Sequence, residues 1–223
     1  MSGSTVWELR GFFAQLAETH ASSRVQHYSI LRDKLHSHLS SAHVLQHSGQ
    51  ALSLLLQYWD SVPACVDLAL LLCRSLRRSM HLGKVWQVAA SSSAITGLCD
   101  LATRRPYDPK LFIEACLTMV RVISPGHELH HDQLSPGLGE LLEAIRNLSG
   151  EQRCAVAGSH ILHTLVCCKD HGQLYKAILI SHNVIAVISS CQHQLEGLHA
   201  DRAVRNLGCL NHSTHCCLFR PLL

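Results

Sequence analysis

Charge, aromatic rings and long apolar runs are all scarce in this chain of 223 residues, and each shortage closes off a class of protein. Charged residues make up 16% of the sequence and leave a net charge of +3 with histidine neutral, too small a margin to imply nucleic acid without a focused patch. Aromatics at 5% do not suit a β-sandwich, which favours aromatic and β-branched residues. The longest apolar runs, "ACVDLALLLC" and "AILISHNVIAVI", are broken by Asp67 or by His182 and Asn183, so neither is expected to cross a bilayer. The opening "MSGSTVWELRGFF" lacks a basic region followed by an apolar core, and no signal peptide is read there. Phosphate-cradling and nucleophile motifs are missing as well: no G-x-x-x-x-G-K-S/T, no G-x-G-x-x-G after a strand, no G-x-S-x-G.

What the chain does have is aliphatic residues, cysteine and histidine. Its hydrophobic share of 47% is mostly Leu, Ala, Val, Ile and Cys, a mix that suits stacked helices. The eleven cysteines are odd in number and come without secretory signals, so they are expected to be small buried apolar residues in a reducing cytoplasm or nucleus. On the same ground the glycosylation-type triplets at Asn147 and Asn211 carry little weight. Eighteen histidines make the net charge sensitive to pH in the range of about 5 to 7.

Apolar positions recur at three and four almost everywhere, the helical period, and no run alternates with the period of a strand. Thr5 and Glu8 form a capping box ahead of Val6, Leu9, Phe13 and Leu16, and a second helix is marked by Val25, Tyr28, Leu31, Leu35 and Leu39. A longer period follows. Leu55, Leu98, Leu141 and Val184 lie 43 residues apart, each in a short apolar segment. Each segment precedes a longer helix: "PACVDLALLLCRSL", "PKLFIEACLTMVRVI", "EQRCAVAGSHILHTLV" and "ADRAVRNLGCL". In those helices Ala69, Ala115, Ala157 and Ala203 offer small contacts for close packing, and "DSVP", "RRPYDP" and "SGE" supply the residues that stop one helix and cap the next.

A period near 43 falls in the range of about 40 to 47 residues expected for armadillo and HEAT units. The segment "AILISHNVIAVISSCQHQLEGLHADRAVRNLGCL" resembles an armadillo unit: a short helix, a second helix entered after "SHN", a loop, and a third helix. "VLQHSGQALSLLLQYWDSVPACVDLALLLCRSL" has the same shape, with "HSG" at the sharp first turn. Two units depart from the pattern, one with "AASSSA" in place of the turn glycine and one opening on the polar "HELHHDQLSPG". The resemblance implies an all-α, armadillo-like right-handed α-solenoid of about four repeats over residues 42–210, with N-terminal capping helices in 1–41 and an irregular Cys/His tail in 211–223. An irregular helical bundle is the competing arrangement.

Two strings invite a metal. "HELHH", His127 to His131, matches the zinc-peptidase pattern H-E-x-x-H, but Pro125 and Gly126 precede it, Ser135 to Gly137 follow, and no apolar helical face runs through it. "CLNHSTHCC" offers Cys209, His212, His215 and Cys216 as zinc ligands, with Cys217 adjacent and Cys191, His193 and His199 upstream; the alternative is a tail with no metal. Cys167 and Cys168 end an apolar helix and are expected to be buried.

Arg74, Arg77 and Arg78 share one helical surface, and Arg121, Arg202 and Arg205 lie on the corresponding later helices. In an armadillo-like stack these helices line the concave face, giving a broken basic stripe; ordinary helix-terminus electrostatics is the plainer explanation for Arg77 and Arg78. The Trp and Asn ladder of peptide-gripping armadillo proteins is not matched, since Asn206 has no Trp beside it. The expected function is a non-enzymatic scaffold or adaptor, with no cofactor and no catalytic residue. It would hold an acidic or amphipathic segment of another protein through Arg74, Arg78, Arg121, His163 and Arg205. A nucleic-acid-associated helical repeat and a zinc-dependent hydrolase using "HELHH" are the rivals. After Leu210 the pattern stops with Leu218, Phe219, Leu222 and Leu223 uncapped, so a shortened array, or association through that end, is a further expectation.

Overall fold

The computed structural model describes residues 9–15, 33, 48–60, 65–79, 94–123, 137–167, 172–184 and 187, and these are all helices and the turns between them, with no strand. Residues 9–15 form α1. Seven longer helices follow: α2 (Ser48–Gln57), α3 (Cys65–Ser79), α4 (Ala94–Thr103), α5 (Pro109–Ile123), α6 (Leu138–Asn147), α7 (Gln152–Val166) and α8 (Gly172–Ser181). Ten-residue and fifteen-residue helices alternate from α2 to α7. Among the described residues no helix is long and apolar enough to cross a membrane.

Short helices pack on short and long on long. α2 lies against α4 and α4 against α6, while α3 lies against α5 and α5 against α7. α2, α4 and α6 each also meet the long helix that follows. The result is two rows sharing one seam of leucine, alanine and cysteine. Leu55, Leu98, Leu141 and Val184 are all fully buried, so the 43-residue spacing in the sequence is also a spacing of burial. The long helices obey it too: Leu68, Leu111 and Cys154 are buried, as are Leu72, Ala115 and Gly158, and Cys73, Cys116 and Ser159. This register corrects one detail of the sequence reading. Ala69, Ala115 and Ala157 are buried, yet they do not occupy equivalent positions.

Local chemistry sets the helix ends. In "RRPYDP" the Asp108 carboxylate accepts the Leu111 backbone N–H at 2.8 Å, and Pro109 opens α5, where a missing N–H costs nothing. Asn183 stands at φ 55° in the turn after α8, a left-handed conformation that asparagine tolerates better than most residues, and Val184 resumes the helix. At the start of the chain Leu9 and Phe13 of α1 are fully buried, and Phe13 stacks on Tyr58 with ring centroids 5.7 Å apart. Thr5, Glu8 and Leu16, and the second N-terminal helix apart from Asp33, lie outside the described residues.

Helices approach closely where a side chain is missing, both within a row and between the rows. A Cβ on Gly97 of α4 would sit 2.8 Å from Leu52 Cβ on α2, and one on Gly158 of α7 would sit 3.0 Å from two carbons of Ile145 on α6. Nothing lies within 4 Å of the same position on Gly11 of α1. One substitution should therefore act with opposite signs at two helical sites. Gly11→Ala should stabilise by up to about 1 kcal/mol through helix propensity. Gly97→Ala should instead destabilise, because overpacking of about 1–3 kcal/mol outweighs the same gain. Urea denaturation of both variants checks the pair of signs.

Candidate interaction surface

The side of the long helices turned away from the core carries Arg74, Arg77, Arg78 and Arg121, while Arg202 lies outside the described residues. α3 has Asp67 in its first turn and Arg77 and Arg78 in its last, and α5 has Arg121 in its last, so each helix complements its own dipole. Leucine and cysteine at three and four spacing turn the other side of α3 into the core. What remains outward is Asp67, Arg74, Arg77 and Arg78 on α3, and Lys110, Leu117 and Arg121 on α5.

These arginines do not all have the same role. Arg74 Nε donates to Glu114 Oε1 at 3.0 Å, and Arg77 Nη2 lies 2.9 Å from Glu114 Oε2. Glu114 sits on α5 with its side chain only 14% exposed, while Arg74 remains 47% exposed. One carboxylate thus joins the two long helices and is shared by two guanidinium groups, whose combined charge it does not cancel. Arg78 and Arg121 are exposed and 43 residues apart, so they take equivalent positions on adjacent helices. His163 is half-buried on α7, with its ring nitrogens near Cys167 Sγ, and Arg205 lies outside the described residues. The structure therefore brings Arg74, Arg78 and Arg121 onto neighbouring helices and assigns Arg74 a packing role as well.

Sequence reasoning passed over Glu114. Its signal was there: the residues 43 positions before and after are Leu71 and Ala157, so a carboxylate stands in an otherwise apolar column. The turns at the far ends of the helix pairs were also missed. Arg104 reaches back to Asp60 at 3.3 Å and lies 4.9 Å from the Trp59 ring centroid, while Arg105 reaches forward to Glu143 at 2.6 Å. Each of these ion pairs joins one helix pair to the next.

The thiols are the other chemically notable groups. Cys65, Cys73, Cys99, Cys116 and Cys154 are buried, as expected. Burial pushes the thiols of Cys65, Cys73, Cys99 and Cys154 up to about 12, and that of Cys116 well above its usual range. Several serve as weak donors between helices: Cys99 Sγ to the Gly137 carbonyl at 3.5 Å, and Cys154 Sγ to the Pro109 carbonyl at 3.8 Å. Cys167 corrects the expectation of burial. It follows the last residue of α7 and is exposed, because the turn that ends the helix carries it past the core. Cys168 lies outside the described residues, as do the "HELHH" string and Cys209, His212, His215 and Cys216. Among the described residues no group of three or more His, Cys, Asp or Glu is placed to hold a metal.

No family model, no curated protein and no solved structure matches the chain.

Two outcomes test this surface. Glu114→Ala should cost about 1–2 kcal/mol in chemical denaturation, since the arginines it leaves are partly solvated and regain water. Arg74→Ala alone should cost less, because Arg77 still holds the carboxylate. Brief treatment of native protein with iodoacetamide near pH 8 should modify Cys167 and spare Cys65, Cys73, Cys99, Cys116 and Cys154, which react only after denaturation. Peptide mass spectrometry reads the difference.

Proposed function

We propose that the chain is a non-enzymatic interaction scaffold, an armadillo-like right-handed stack of about four units capped by its N-terminal helices, that takes an acidic or amphipathic segment of another protein along its long helices. The observation that carries this reading is the placement of Arg78 and Arg121: both exposed, both in the last turn of a long helix, and at the same point of the 43-residue register on helices packed side by side. Arg74 and Arg77 add positive charge beyond what Glu114 neutralises. His163 and Arg205 extend the candidate set toward the later units.

The shape supports the same reading. Helices in two rows present a broad face, and such faces bind extended or helical segments readily. The known alternative for arginines near helix ends, favourable interaction with the dipole, explains their presence on each helix but not the coincidence of register between two helices.

The test is binding of fluorescein-labelled acidic, neutral and basic peptides by anisotropy at low and physiological salt. Acidic peptides should bind, and the double substitution Arg78→Glu with Arg121→Glu should weaken them at least tenfold, about 1.4 kcal/mol, without lowering the unfolding temperature. Equal binding of acidic and basic peptides, or indifference to the charge reversal, would sink the reading.

A further inference from the structure

We propose that the outward side of α5 selects an amphipathic acidic segment, with apolar side chains seated on Ile113, Leu117 and Val120 and carboxylates reaching Arg74, Arg78 and Arg121. The inference rests on the scaffold reading and deepens it, because it requires the partner to be apolar as well as acidic. Ile113, Leu117 and Val120 stand at i, i+4 and i+7, so they form one stripe along α5. All three are half-buried, whereas Phe112, Ala115, Cys116 and Met119 on the core side are closed to solvent. Ile113 and Val120 lean on the core, and Leu117 stands outward between them.

The register makes Leu117 the anomaly. The residues 43 positions before and after it are Arg74 and His160, both exposed, so an aliphatic side chain interrupts a polar column. Three residues earlier on the same helix stands the converse case, Glu114, a carboxylate in an apolar column. The two act together. Glu114 draws Arg74 Nε and Arg77 Nη2 across from α3 to 3.0 and 2.9 Å, which sets their charge one helical turn from Leu117. Arg121 lies one turn the other way.

An apolar centre with a charged rim is how recognition surfaces are built. Charge complementarity sets the sign of the occupant, because one carboxylate stands against Arg74, Arg77, Arg78 and Arg121. The other end of the stripe is mixed in charge: Asp67, Lys110 and Arg153 share one register position there, and all are exposed. The anionic end of the segment therefore lies toward the carboxyl ends of α3 and α5. Arginines alone would accept any polyanion; the stripe adds a requirement that a phosphate backbone does not meet.

The experiment is anisotropy titration of the full chain with three labelled probes: an acidic peptide with leucines at i, i+4 and i+7, the same peptide with glutamines there, and a single-stranded oligonucleotide. The leucine peptide should bind about tenfold more tightly than the glutamine peptide. Leu117→Ala should weaken the leucine peptide about fivefold and leave the glutamine peptide nearly unchanged, while Arg78→Glu with Arg121→Glu weakens both. The comparison of the two peptides on the parent chain does not depend on how any variant folds. Equal binding of the two peptides, an oligonucleotide that binds as tightly as the leucine peptide, or a Leu117→Ala variant that weakens neither peptide or both alike overturns the inference. The scaffold reading fails by a separate result, acidic peptides binding no better than basic ones, and the inference falls with it.

Discussion

α5 is wedged between α3 and α7, and most of what holds the described residues together passes through it. A fifteen-residue helix cannot bury two apolar sides against its own hairpin partner, so α5 covers its remaining sides with the long helices before and after it. Leu111, Phe112, Ala115, Cys116, Met119 and Val122 are all buried there. The polar groups of α5 are tied to the same neighbours. Thr118 Oγ1 donates to the Glu114 carbonyl at 2.7 Å and lies 3.2 Å from the Cys73 carbonyl on α3, while the Pro109 carbonyl accepts from Cys154 on α7.

Cysteine suits this construction because it is small. At Cys73 and Cys116 a thiol occupies the register position where Ser159 stands on α7, and larger side chains would push the long helices apart. Glycine does the same where neighbouring helices leave no room for a Cβ, at Gly97 and Gly158. The low aromatic content follows from the same economy of volume. Phe112 and Tyr175 are the large rings buried within α5 and α8, while others sit at helix ends: Phe13 and Tyr58 stack over the first pair, and Trp59 and Tyr107 lie in turns against Arg104 and Arg105.

The helical class and the positions of the long helices were legible because burial here is periodic twice over, at three to four residues within a helix and at 43 between helices. Leu55, Leu98, Leu141 and Val184 carry both signals, and all four are buried. The alanine series misled because small residues are buried at several positions along each long helix, so their recurrence does not fix the register. The fate of Arg74 was not legible, since its partner Glu114 is forty residues away and no local pattern pairs them. Cys167 was misplaced for a different reason: an apolar run gives the direction of a helix but not the residue at which its last turn leaves the core.

The electrostatics of the long-helix face depends on how Glu114 is shared. If each arginine of α3 had its own carboxylate, the face would be neutral and its side chains held flat. Instead one carboxylate serves Arg74 and Arg77, and among the described residues no ion pair engages Arg78 or Arg121, so the face keeps an excess of positive charge. Adjacent packed helices lie about 8–10 Å apart, close to the screening length of about 8 Å at physiological salt. Charges at equivalent positions on such helices therefore act on an incoming anionic group together. A net charge of +3 for the whole chain understates this, because attraction at contact range is set by where the excess is concentrated.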